Sequence, residues 1–198
     1  MYSSKPSIVY GFHGTDKEAA FRILTQQDEF LHSKNDYDWL SSGIYFWENN
    51  LSRAKQYAEE DSTRANSKIK EPYVLGAVLE LGNCLDLLSQ DGIDFVKEAY
   101  NELKEVFDKD FNAPLPSNHP FGKNDFDFKN RELDCAVIRF ACAIAEDVGR
   151  PFDSVRAAFV EGGELYSGAK FHSHNHIQLA VLNPNCIKGI FLPRKKVR

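Results

Sequence analysis

NDYDWLSSGIYFWENNLSRAKQY, residues 35–57, is the stretch whose reading decides the fold. Aromatic rings at Tyr37, Trp39, Tyr45, Phe46 and Trp47 crowd around a Ser-Ser-Gly turn. The pattern then changes to helical spacing at Leu51, Ala54 and Ala58, so a strand followed by a helix is predicted. Along the strand the side chains alternate: Ile44 and Phe46 face one side, Tyr45 and Trp47 the other. One side is expected to be core and the other a wall. Gly43, with no side chain ahead of the strand, lets a planar ligand or another backbone approach Tyr45.

Upstream, SIVYGF (residues 7–12) alternates as a strand and runs into His13-Gly14-Thr15. Thr15 or Asp16 then caps a helix, DKEAAFRILTQ, with acids in its first turn. His13 is therefore expected where a strand ends and a helix begins. Downstream, the helix that starts at Leu51 continues to about residue 66, and residues 73–81 (YVLGAVLEL) read as a strand covered on both faces. Helical spacing returns at Ile93, Val96, Tyr100, Leu103 and Phe107. Residues 108–130 have loop composition, and 133–148 form an apolar helix stopped by Gly149. Strands are predicted at 155–160, 177–182 and 187–192, with the turn-rich EGGELYSGAKFHSHNH before the middle one. Strands gathered late in the chain, rather than steady βα alternation, indicate an α+β fold. A single domain over 1–198 is expected, with a helical and loop insertion around 89–150.

The chain's 198 residues, 42% hydrophobic and 27% charged, can bury one core and exclude wholesale disorder. No apolar run spans a bilayer and no signal peptide is evident, so a cytoplasmic protein without a membrane partner is expected. Cys84, Cys135, Cys142 and Cys186 are widely spaced without a CxxC pair, as buried free thiols would be. A net charge of -5 opposes broad nucleic-acid binding, and the basic cluster at Arg194, Lys195, Lys196 and Arg198 reads as a solvated terminus. His172, His174 and His176 alternate, yet no Cys or acid completes a metal set, so no metal site is assigned.

His13 in FHGT, Tyr45 in SGIYFW with helical Tyr57 about a dozen residues on, and Gln178 in HNHIQLAVLNP form an ordered set. That set resembles the ADP-ribosyltransferase superfamily, in its poly-ADP-ribose polymerase and diphtheria-toxin branch, over most of the chain. The resemblance implies a split β-sheet with NAD as co-substrate in the cleft. His13 would bond the adenosine ribose, with the following Gly14 and Thr15 part of the same NAD-binding motif. The Gly14 backbone would hold the nicotinamide amide, and Tyr45 and Tyr57 would take the two faces of the ring. A backbone N–H and C=O suit a carboxamide, and a tyrosine face suits a pyridinium.

Here the third position is Gln178 where the family's usual residue is Glu. Breaking the nicotinamide–ribose bond builds oxocarbenium-like charge, which a carboxylate stabilises and an amide meets only with a dipole. Gln178 can orient a ribose hydroxyl and cannot act as a general base. Single transfer is therefore expected in place of chain elongation, and Glu161 and Glu164 in the turn-rich segment are candidates to supply the missing charge, although acids in a Gly-rich loop are by default solvated surface. The expected function is NAD-dependent mono-ADP-ribosylation by a toxin- or defence-like enzyme, its acceptor a nucleic-acid base or, alternatively, a protein. An antitoxin or chaperone partner fits such enzymes. A catalytically silent module that binds NAD or ADP-ribose is the rival reading. An RNA 2'-phosphotransferase ranks last, because only Arg22, Arg53 and Arg156 lie near the motif segments.

Overall fold

The computed structural model describes residues 8–122 and 127–194, with only the backbone at residue 110. A mixed seven-stranded sheet forms its centre. In chain order the strands and helices are β1 (Ile8–Asp16), α1 (Lys17–Leu24), β2 (Ile44–Glu48), α2 (Leu51–Ser62), β3 (Pro72–Glu80) and β4 (Cys84–Asp86). Then follow α3 (Gln90–Val106), β5 (Asn118–His119), β6 (Asn130–Arg131), α4 (Glu132–Asp147), β7 (Ser154–Phe159), β8 (His176–Val181) and β9 (Ile187–Phe191). The sheet order is β4-β7-β8-β2-β1-β3-β9, with β5 and β6 paired separately. Only β4 and β7 run parallel; the other neighbours are antiparallel. The fold is α+β, as the late cluster of strands predicted.

Helices cover both faces. On one, α1 buries Ala20 and Ile23 in a core with Phe30, Phe46, Leu75, Leu79 and Leu179. On the other, Ala99 of α3 and Ile138 and Ala141 of α4 pack on Val155, Ala157 and Ala180, and Ala54 of α2 packs on Trp47 and Val74. Phe46 and Trp47, neighbours in sequence, thus end in different cores, 0% and 5% exposed. The side of β2 expected to be a wall is itself covered, because α2 and α4 together span that face.

The sheet is weakest at its middle. Strand β1 pairs with β3 over nine residues but with β2 over two, Gly11 opposite Glu48 and Phe12 opposite Trp47. Beyond Phe12 the strands part, and the sheet divides into a β4-β7-β8-β2 half and a β1-β3-β9 half.

Local chemistry sets the element ends. Asp16 caps α1, its side chain accepting from Glu18 N, and Asn50 caps α2 through Arg53 N. Helix α4 lacks a cap of its own; Asn118 Oδ1 accepts from Leu133 N and Asp134 N across the chain. Gly149, at φ +71, ends the same helix. Strand β1 runs through His13-Gly14-Thr15, so His13 lies within it and not at its end. The loop composition of 108–130 concealed the β5 strand, and β4 is too short to show a period. Cys84, Cys135 and Cys186 are buried and Cys142 half-buried, and none forms a disulfide among the described residues. Among the described residues no helix is long and apolar enough to cross a membrane. Of the basic end only Arg194 is described; residues 195–198 lie outside the described residues.

Candidate functional site

The motif residues come from three adjacent strands, β1, β2 and β8, but they do not all face one way. Residues directly opposite in an antiparallel pair share a face. Tyr45 lies opposite Ala180 and Trp47 opposite Gln178, while Phe12 lies opposite Trp47. Tyr45, Trp47, His176, Gln178 and Gly14 therefore share one face; His13 and Thr15 belong to the other. The rings around His13 agree: Phe30 at 5.2 Å and Phe46 at 5.7 Å, both in the α1-side core. Its imidazole and the Tyr45 ring do not line a common hollow.

What His13 does is bridge the split. Its Nδ1 lies 2.8 Å from the carbonyl oxygen of Tyr45, at the level where the β1–β2 ladder has ended. The side chain takes the place of a backbone donor that the parting strands leave missing. Burial holds its pKa below the ordinary 6.5, against the opposing pull of that carbonyl, so the ring is neutral and Nδ1 carries the proton.

Tyr45 is anchored at both ends of its hydroxyl, which accepts from Leu40 N and donates to Ser41 O. Burial pushes its pKa well above the usual phenol value, so it stays protonated. Its ring packs with the α3/α4-side core. Tyr57 packs on Trp47 at a tilt of 42°, ring centroids 4.9 Å apart. The absence of a side chain at Gly14 admits α2: a Cβ there would lie 2.5 Å from Ala54 O and 3.2 Å from Tyr57 Cδ1. Gly43 similarly admits β8, its nearest neighbours being Ala180 Cβ and Val181 O. A helix and a strand use the two approaches that the sequence reading left open to a ligand.

The chemically unusual group lies beside Gln178. Arg53, on α2, donates through Nη2 to both oxygens of Glu161, at 3.1 and 2.9 Å. Both side chains are buried, 6% and 4% exposed. Glu161, named as a candidate to supply the missing charge with solvated surface as its default, is thus the buried partner of an α2 arginine, because Gly162 and the segment after β7 turn it inward. Lys129 Nζ lies 3.7 Å from Glu161, and His176 Nδ1 3.6 Å. Burial also lowers the His176 pKa, and its Nδ1 is 2.7 Å from His174 O. The neutral ring therefore donates through Nδ1 and leaves a lone pair on Nε2.

Four buried polar atoms here have no hydrogen-bond partner among the described residues: Trp47 Nε1, Arg53 Nε, Arg53 Nη1 and His176 Nε2. Their side chains adjoin, with the Trp47 ring 6.3 Å from His176 and 5.9 Å from Arg53 Cζ. A buried donor or acceptor left unmade costs about 1–3 kcal/mol. Three donors and one acceptor in one place suit an occupant with oxygen acceptors and a hydroxyl. Gln178, 9% exposed on the same face, is two residues along β8 from His176.

Glu164 does not join this group; it is exposed, accepts from Gly168 N and bridges His172 across the loop. The histidines at 172 and 174 stay in that loop, and His172 Nδ1 lies 2.8 Å from Gly162 O. Of the three arginines, Arg22 pairs with Glu18 and Asp28 at the surface, and Arg156 is held by Glu48 and Asp86 on the opposite face from Gln178. Sequence reasoning passed over His176 and Trp47 as site residues. The period-two rule could have found His176, since it shares a strand face with Gln178. Arg53 gave no such signal, because its partner is 108 positions away.

No family model matches the chain. It is 26% identical, over 90% of its length and 84% of the relative's, to an uncharacterized protein of Methanocaldococcus jannaschii. A crystal structure of an anti-CRISPR protein aligns with 89% of this chain and 91% of its own at 12% identity, with a TM-score of 0.31.

Proposed function

We propose that this protein transfers a single ADP-ribosyl group from NAD to an acceptor in the cytoplasm and releases nicotinamide. The observation that supports the reading is the strand order β8-β2-β1, which sets the three motif strands side by side at the point where the sheet parts. The face of that junction carries Gln178, Tyr45 and Trp47, and the Arg53, Trp47 and His176 atoms that lack a hydrogen-bond partner among the described residues adjoin it, Arg53 Nη1 with Glu60 3.8 Å away. NAD carries groups that complement this donor set. Its phosphate and ribose oxygens can accept from Arg53 and Trp47, and a ribose hydroxyl can donate to His176 Nε2. Gln178 orients the ribose; Glu161 holds Arg53. In this account His13 is a positioning residue that joins the two half-sheets.

Transfer breaks the bond between ribose C1′ and the nicotinamide nitrogen, whose electron pair returns to the ring and cancels its positive charge. A nitrogen lone pair of the acceptor bonds to C1′, and the acceptor's proton leaves to solvent. Gln178 cannot take a proton, so an acceptor with a ready lone pair suits the site better than a hydroxyl. Labelled NAD incubated with protein, RNA and DNA pools tests the proposal. Free nicotinamide with label in one pool is expected; NAD binding without nicotinamide favours the silent module instead.

A further inference from the structure

A cavity of about 600 Å³ opens one strand away from Gln178. Ala157 and Phe159 of β7 line it, and these residues lie directly opposite Gln178 and His176 in the β7–β8 ladder. Neighbouring strands are about 4.8 Å apart, so the floor of the cavity adjoins the proposed site of transfer. Helices α3 and α4 contribute Val96, Tyr100 and Val137 to its lining, and Trp39 joins them. Its size is that of small-molecule pockets, about 300–1,000 Å³, and its walls are apolar and aromatic, as such pockets are.

Two polar side chains, Arg131 and Asp134, share the lining. The Arg131 guanidinium lies 4.0 Å from the Trp39 ring centroid and 5.1 Å from that of Phe159. It donates through Nη2 to Asp127 O and, at 3.4 Å, through Nη1 to Asp134. Its Nε is buried without a partner. Asp134 accepts from Asn118 as well and keeps further lone pairs. A donor and an acceptor thus stand side by side in a cavity whose other walls are mostly apolar and aromatic.

We propose that this cavity is the acceptor subsite and receives one unstacked nucleobase whose edge sets a ring carbonyl beside a ring N–H. Guanine and uracil have that edge and adenine and cytosine do not; of the two, only guanine keeps further ring-nitrogen lone pairs, on N3 and N7, with which to act as acceptor, so uracil serves as a binding probe of the edge. The carbonyl accepts from Arg131, the ring N–H donates to Asp134, and the apolar walls cover the base faces. A net charge of -5 fits capture of a single base better than tracking of a phosphate backbone. Calling the base an acceptor rests on the ADP-ribosyl-transfer reading; its binding does not.

Calorimetry with guanosine, uridine, adenosine and cytidine, at low and at high salt, tests this. Guanosine and uridine bind, about tenfold or more tighter than the other two, with little salt dependence. Asp134→Ala removes the preference, and Ile93→Trp, a substitution at the partly exposed rim, blocks all four. Absence of nucleoside binding, a preference for adenosine or cytidine, or binding unchanged by Ile93→Trp overturns the proposal. Nicotinamide release is scored in parallel with the same protein. Nucleoside binding without release keeps the subsite and removes the transferase reading; release with transfer only to protein, and no nucleoside binding, does the reverse.

Discussion

Arg53 and Glu161 show most clearly how single residues bear on the account. Two charges are taken out of water together, a costly step offset mainly by their mutual bonds and in part by Lys129, 3.7 Å from Glu161, and Glu60, 3.8 Å from Arg53. Removing Arg53 leaves the Glu161 carboxylate buried with only the longer Lys129 contact, so Arg53→Met is expected to destabilise the fold by about 3 kcal/mol. The double variant Arg53→Met, Glu161→Leu should lose less than the sum of the two single ones, as chemical denaturation would reveal. His13 and His176 set the response to acid. Both have pKa values lowered below 6.5 by burial, so unfolding takes up a proton at each. Their contribution is full above pH 6.5 and is lost as the pH falls from there toward the folded values, at up to about 1.4 kcal/mol per pH unit for each ring. His13→Gln should flatten the slope by one proton in a series of denaturation curves; an unchanged slope would mean that His13 is charged in the fold.

Between residue and molecule, the elements whose period was long enough to read emerged close to where the sequence put them. The helices α1, α2, α3 and α4 and the long strands did so because caps and apolar stripes are local signals. Which face each strand residue occupies was harder. The alternation in β2 was legible, but the assignment of His13 to the same side as Tyr45 needed the β1–β2 register, which only the pairing of Phe12 with Trp47 supplies. The ion pair of Arg53 and the turning inward of Glu161 are tertiary facts with no local signature. Two substitutions test the packing of these elements. Gly14→Ala puts a methyl 2.5 Å from the Ala54 carbonyl oxygen of α2, a backbone atom that must shift. A loss of about 1–3 kcal/mol is expected from such overpacking, read as a lower Tm. Asn118→Ala removes the borrowed cap of α4 and should cost about 1 kcal/mol.

At the scale of the whole molecule, the sheet is two half-sheets joined chiefly by two residue pairs, the adjoining Asn49 N to Tyr10 O bond and one imidazole. Helix α2 lies across β1 and β3 on the face that α3 and α4 cover over β7 and β8, and the Trp47, Arg53, Glu161, His176 and Gln178 group sits between these two coverings. Among the described residues three donors and one acceptor there lack a hydrogen-bond partner, with the Glu60 carboxylate 3.8 Å from one of those donors, Arg53 Nη1. The most direct measurement is the amount of nicotinamide released from NAD by the wild-type protein and by Gln178→Ala. The account predicts release by the wild type, and a drop of about tenfold or more in the variant with its melting behaviour retained. Equal release by both, or none from the wild type in the presence of protein, RNA and DNA acceptors, would contradict it.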